Sequence, residues 1–206
     1  MRTILLLTLF SLLLAGCHKG KTEITIRGTL TDATFNSPLN NADISIYEVD
    51  GAYSVKLIST ATTSELGRFS FTMPRNQIQE YHIVAEKSGY FTINESVPLD
   101  ILTIDEANEF NYSTTARAYL NLKFVNQSAG AGATLRFIKQ SGKSGCDECL
   151  PDQEQFLYGI VDTSIIVAND GNSTFAYFYE VLGTSIYGVK TATSVAFDTT
   201  TILLNY

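Results

Sequence analysis

From Glu23 onward the chain is a succession of short runs rich in Ile, Val, Thr, Tyr and Phe, each broken by Gly, Asn, Asp or Pro. Such runs are too brief for the 3.6-residue periodicity of helices and suit strands, whose side chains alternate between two faces. Ile24 and Ile26 alternate with Thr25 and Arg27, and Leu120, Leu122 and Phe124 alternate with Asn121 and Lys123. Asp50-Gly51, Leu66-Gly67, Ser88-Gly89 and Asn169-Asp170-Gly171-Asn172 are turn signals between runs. The expected fold class is all-β. Strands are expected at Tyr53–Ser59, Tyr81–Glu86, Tyr90–Asn94, Phe156–Asp162, Ser164–Ala168, Thr174–Leu182, Ser185–Lys190 and Thr193–Leu204, among others. Thr103-Ile104-Asp105-Glu106 fits a capping box and predicts one helical turn over Asp105–Glu109. Glu109–Ala118 fits either a last strand of the first unit or a linker.

The first residues are of another kind. One positive charge, Arg2, precedes the apolar run Ile4–Leu14, which is too short to span a bilayer and has the layout of a secretory signal. The run ends in Leu14-Ala15-Gly16-Cys17, where small residues permit cleavage and the cysteine supplies a thiol for acylation. This segment resembles the lipobox of bacterial lipoproteins. The resemblance implies a signal peptide over 1–16, lipidation at Cys17, and a polar lipidated tether over 17–22. Several acyl chains on one residue anchor a protein stably, where a single chain does not. The partner implied is therefore a membrane, reached through lipid, and the location implied is the outer membrane. His18-Lys19-Gly20-Lys21 lacks the acidic cluster that resembles a Bacteroidota surface-export signal, which favours the periplasmic face and leaves the cell surface open.

Four further segments occur in an order that resembles the carboxypeptidase regulatory-like domain, a transthyretin-like β-sandwich. They are Ile26-Arg27-Gly28-Thr29-Leu30-Thr31-Asp32, Ser37-Pro38-Leu39-Asn40-Asn41-Ala42-Asp43-Ile44-Ser45-Ile46, Thr62–Phe71 ending in Glu65-Leu66-Gly67-Arg68-Phe69-Ser70-Phe71, and Tyr81–Tyr90 ending in Lys87-Ser88-Gly89-Tyr90. Asn41 stands where that family often has Gly, and Ser64-Glu65 where it has an Asp-containing turn. The resemblance implies a scaffold with no catalytic constellation. Gly28, Gly67 and Gly89 read as turn or close-approach positions, and Phe69 and Phe71 share one face. The expected organisation is this sandwich over 23–110 and a second β-sandwich over 117–206, for which no family resemblance is found.

Cys146-Asp147-Glu148-Cys149 is the sharpest chemical feature. In an exported chain, two cysteines in one polar loop read as a local disulfide. A redox pair would need a depressed thiolate pKa, which Asp147 and Glu148 oppose. Zinc would need four Cys or His ligands, and besides these cysteines only His18 and His82 stand near strands or tether. No metal and no cofactor is expected. His82 lies within a strand run and reads as a surface residue. Asn169-Asp170-Gly171-Asn172 lacks the spaced acids and distal Glu of a calcium loop and reads as a hairpin. Phe175, Tyr177 and Tyr179 share one strand face; with Ala176 and Phe178 opposite, they mark either a central core strand, the preferred reading, or a glycan-binding platform. Asp198-Thr199-Thr200 resembles the Bacteroidota O-glycosylation motif, with Thr199 as acceptor.

Fourteen Lys and Arg face 21 Asp and Glu, for a formal charge of −7, which argues against nucleic acid as a partner. The sequence thus points to a non-catalytic envelope lipoprotein that binds or assembles with envelope proteins or glycans. A surface glycan-binding or adhesion lipoprotein is the second reading, and a thiol–disulfide enzyme using Cys146 and Cys149 the third.

Overall fold

The computed structural model describes residues 23–51 and 54–206. Cys17, the tether and the signal segment lie outside the described residues. Among the described residues no helix is long and apolar enough to cross a membrane.

The first half is organised about β1 (Glu23–Asp32). One edge of β1 pairs antiparallel with β5 (Arg68–Pro74) and with the two-residue β2 (Ser37–Pro38). Its other edge takes β8 (Asn108–Thr114) in parallel. The facing sheet is antiparallel, in the order β4 (Val55–Thr62), β3 (Asp43–Val49), β6 (Glu80–Glu86), β7 (Ile93–Pro98). Period-2 patterning decides which side chains meet. Ile24, Ile26, Phe69, Phe71 and Met73 from one sheet pack on Ile44, Ile46, Tyr81, Ile83 and Ala85 from the other. Each large apolar side chain so buried contributes about 1.5–3 kcal/mol relative to exposure.

The second half repeats the plan with different residues. β9 (Arg117–Val125) pairs antiparallel with β12 (Asp162–Asp170) and parallel with β15 (Thr199–Asn205). The facing sheet runs β11 (Gln155–Tyr158), β10 (Thr134–Ser141), β13 (Thr174–Val181), β14 (Tyr187–Thr193). Its separate core holds Leu120, Leu122, Phe124, Leu135, Phe137, Phe175, Tyr177, Ile202 and Leu204. The described residues are all-β and form two sandwiches, each with its own core.

In both halves the first and last strands are hydrogen-bonded neighbours running the same way. A chain entering at the start of β1 therefore leaves the first half at the opposite pole, where Thr115 and Ala116 lead into β9. It ends, after β15, at the far pole of the second half. Each half carries the chain forward by about 30 Å, at ~3.3 Å per strand residue.

Several boundaries differ from the sequence reading. The helical turn expected over Asp105–Glu109 is absent; a 3-10 turn forms earlier, at Leu99–Ile101. Thr103 Oγ1 accepts the Asp105 amide, but Asn108 closes the loop back on Thr103 and Thr25, and pairing with β1 begins at Asn108, so the chain is extended before a helix can propagate. The run Phe156–Asp162 is not one strand. Gly159, at φ +79, turns the chain between β11 and β12. Tyr90 sits in an isolated bridge to Ala116 rather than at a strand start, and the following strand begins at Ile93. Residues 194–198, expected within a strand, form the turn before β15.

Candidate functional site

A set of polar and aromatic contacts outside the cores lies at the joint between the halves. It begins at the end of β1, where the Asp32 side chain is buried. Its carboxylate accepts the amides of Thr34 (2.8 Å) and Phe35 (3.2 Å) and the hydroxyl of Tyr90 (2.7 Å). These bonds fold the following loop so that Phe35 projects from the first half. Burial, followed by the hydrogen bond to Asp32, pushes the Tyr90 hydroxyl up to about 12.

The second half meets this loop with Phe197, an aromatic residue at φ +65, a conformation that L side chains rarely adopt. Its ring stacks on Phe35 (6.0 Å, 16°) and meets Tyr90 edge-on (5.4 Å, 67°). Gly89 stands at φ +81, and a Cβ there would come within 2.9 Å of the same ring's Cδ1, so both the backbone conformation and the close approach favour glycine. The backbone locks alongside: Arg117 N donates to Gly89 O (2.7 Å), Phe197 N to Arg117 O (2.8 Å), Gly171 N to Ala116 O (2.7 Å), and Phe91 N to Thr115 O (3.2 Å). Ala116 N donates to Thr34 Oγ1 at 2.8 Å.

Phe91 is the other hub. The Arg117 guanidinium lies 4.9 Å from its ring centroid and Lys143 Nζ 4.3 Å from it. Both cations are held in turn: Arg117 by Glu148 (3.1 Å) and Lys143 by Asp170 (2.8 Å), whose carboxylate also accepts the Thr115 hydroxyl. A cleft of about 440 Å³ opens beside Tyr90, Arg117, Tyr119 and Phe197, and another of about 640 Å³ beside Phe91, Tyr112 and Lys143. Clefts between structural units are where small ligands commonly bind.

Cys146 and Cys149 form a disulfide. Cys149 is buried and bridges to Ala168 on β12, and neither cysteine stands at a helix N-terminus. The loop is pinned from beneath by Lys139. Its Nζ, on a side chain only 4% exposed, donates to the carbonyls of Lys143 (2.8 Å) and Leu150 (2.7 Å) and to Ser144 Oγ (2.8 Å), and pairs with Asp152 (2.8 Å). Lys139 continues the inward series Leu135, Phe137, and that position was the one available sign of its role.

The aromatic set expected on one face of β13 is placed inward. Phe175 (1% exposed) and Tyr177 (0%) fill the core, and Tyr179 packs against it. They cannot form a glycan platform, because β13 lies between β10 and β14 and this face is covered by the β9 sheet. Asn169 and Asp170 are engaged by other protein groups rather than spaced for calcium: Asn169 Oδ1 accepts the Lys143 amide (2.8 Å), its Nδ2 donates to Ser173 and Ser194, and Asp170 pairs with Lys143. His82 bonds to Glu80 (2.7 Å) and Ser96 (2.9 Å) on one sheet face. Thr199 is exposed at the start of β15, its amide bonded to Asp198 Oδ1. Among the described residues no group of three or more His, Cys, Asp or Glu is placed to hold a metal.

No protein-family model matches the chain, and no curated protein matches it. Among solved structures it is similar to the Bacillus anthracis TIE protein (13% identity, TM-score 0.40), with 89% of this chain and 34% of that one covered. It is also similar to the Streptococcal ancillary pilin (14%, TM-score 0.36; 91% and 63%) and to the shaft pilin SpaA from Lactobacillus rhamnosus GG (14%, TM-score 0.38; 89% and 97%). The chain spans about a third of the first of these and under two thirds of the second. At these identities no residue role is carried over from them.

Proposed function

We propose that the chain is a non-catalytic envelope lipoprotein, anchored at the outer membrane through lipid on Cys17, whose two sandwiches act as a rigid structural or binding module. The observation that carries this reading is the parallel pairing of first and last strands in each half. An antiparallel pair would return the chain to the pole where it entered. Parallel pairs pass it on, so Glu23 and Tyr206 stand at opposite ends of two sandwiches joined in series. The joint between them is bonded by backbone, rings and ion pairs rather than by a slack linker. Such an arrangement holds the second half at a fixed distance from a membrane anchor. The Leu14-Ala15-Gly16-Cys17 segment supports the anchor, and the aspartate–threonine segment at Asp198-Thr199 supports glycosylation at an exposed position.

The test is Cys17→Ala in cells fed an alkyne fatty acid. Wild type is expected to label and to fractionate with membranes, and the variant to lose both. Labelling that survives the substitution would remove the lipoprotein reading. Protease treatment of intact cells, with an epitope after Tyr206, then separates the periplasmic from the surface face.

A further inference from the structure

On the face of β13 opposite the buried aromatics, Glu180 is partly exposed, and it lies in register with exposed rings on both edges of its sheet. Arg136 stands opposite Phe156 on one side and Glu180 on the other, and Glu180 stands opposite Tyr187. The four side chains form one row across β11, β10, β13 and β14, about 14 Å long at ~4.8 Å per strand. Phe156 is 40% exposed and Tyr187 66%. Tyr158, 72% exposed, extends the Phe156 end with its ring 6.3 Å away and only 17° from parallel. In the middle, Arg136 is fixed between Glu154 (2.7 Å) and Glu180 (2.8 Å), its guanidinium 5.9 Å from the Phe178 ring.

We propose that this outward row, Phe156–Arg136–Glu180–Tyr187, binds a short oligosaccharide laid across the strands. A pyranose ring has apolar C–H faces and a rim of hydroxyls that both donate and accept. The row offers flat rings at its two ends for the faces, and between them a guanidinium that donates beside carboxylates that accept. The ion-paired arginine and the Phe156 ring, stacked on Tyr158, are held before any ligand arrives, so little of their side-chain freedom is lost on binding. A second copy of this chain fits less well. The face has a footprint on the order of 300 Å², from strand spacing and rise, against roughly 800 Å² a side in a stable protein interface. A strongly charged partner also fits less well, because Arg136 is already matched by Glu154 and Glu180.

The experiment is titration calorimetry of the full chain, in a detergent without a sugar headgroup. The probes are hexaoses of β-1,4-glucose, α-1,4-glucose, β-1,3-glucose, β-1,4-xylose and β-1,4-N-acetylglucosamine. At least one hexaose is expected to bind. Phe156→Ala and Tyr187→Ala are each expected to weaken it tenfold or more with melting temperature unchanged, since both side chains point outward. Leu203→Ala, exposed on the other sheet of the same half, should leave binding as it is. Failure of every hexaose to bind, or binding indifferent to Phe156→Ala and Tyr187→Ala, would overturn the proposal. So would a dimer in sedimentation that these two substitutions disperse, which would assign the face to a second copy.

Discussion

Phe35 and Phe197 belong to different sandwiches and stack with ring centroids 6.0 Å apart and planes 16° from parallel, although each is about half exposed. Phe197 holds this position at φ +65, so the stack and the edge contact with Tyr90 must offset a backbone cost of ~1–3 kcal/mol. Phe35→Ala removes the stack without touching either core. The expected result is a joint that flexes while both halves stay folded. Spin labels placed one on each half should show a broader distance distribution than in wild type. A double-mutant cycle of Phe35→Ala with Phe197→Ala should give a coupling of about 0.5–1.5 kcal/mol. Additive effects would mean that the rings meet without holding the joint.

Gly28 fixes the pairing that gives the first half its direction. A Cβ there would lie 1.6 Å from the carbonyl oxygen of Phe110 and 2.7 Å from its carbonyl carbon, on the strand that runs parallel to β1. Backbone cannot yield as a flexible side chain can. Gly28→Ala is expected to break the β1–β8 ladder and to cost more than ~4 kcal/mol, beyond the ordinary range for a point substitution. Chemical unfolding of the variant should show the first half lost at low denaturant with the second half intact. A cost under ~1 kcal/mol would contradict the parallel pairing.

Much of this architecture was legible in the chain, and the reasons are local. Alternation placed Ile24, Ile26, Phe69, Phe71, Leu120, Leu122 and Phe124 inward, because a half-buried strand has a period of two. The apolar character of both faces of β13 marked it as central, and it lies between β10 and β14. What was not legible depends on distant partners. Arg27 meets Glu109 in register across 82 positions, and nothing near either residue announces that the strands run parallel. For the face of Phe175, Tyr177 and Tyr179, core is the preferred reading and a glycan platform the alternative. Phe175 and Tyr177 are core, Tyr179 packs against it, and the exposed rings come from β11 and β14, which sequence reasoning had no means to place beside them. The capping signal at Thr103 was real as a hydrogen bond to Asp105 but lost the competition with β-pairing at Asn108.

Lys139 braces the disulfide loop at four points. Its ammonium serves two backbone carbonyls, a hydroxyl and a carboxylate spread from Lys143 to Asp152. Lys139→Met keeps the length and apolar stem of the side chain and leaves those acceptors without their donor, a change worth about 1–3 kcal/mol for buried groups. The loop also carries Lys143 and Glu148, the residues that pair with Asp170 and Arg117 at the joint. The expected signature is faster amide exchange from Gly142 to Asp152, together with a loosened joint. Unchanged exchange in the variant would show that the disulfide alone shapes the loop.

Alkaline pH tests the buried hydroxyls. Burial and the bond to Asp32 raise Tyr90 to about 12, and burial with the charge of Glu95 raises Tyr112 to about 12. In the unfolded chain a tyrosine titrates near ~10. Below about pH 10 both states keep these protons, and the two groups leave stability independent of pH. Between about 10 and about 12 the unfolded chain releases them while the folded chain retains them, so the unfolded state binds fewer protons and stability falls as pH rises. The expected result is an unfolding free energy, from urea titrations, that declines across that window. Burial also raises Tyr81, Tyr177 and Tyr206, so Tyr90→Phe, which removes one raised hydroxyl of several, should make the decline shallower without abolishing it, at the expense of the bond to Asp32 at neutral pH. A decline as steep in the variant as in wild type would mean that the Tyr90 hydroxyl titrates freely, and that its bond to Asp32 does not tie the end of β1 to the joint.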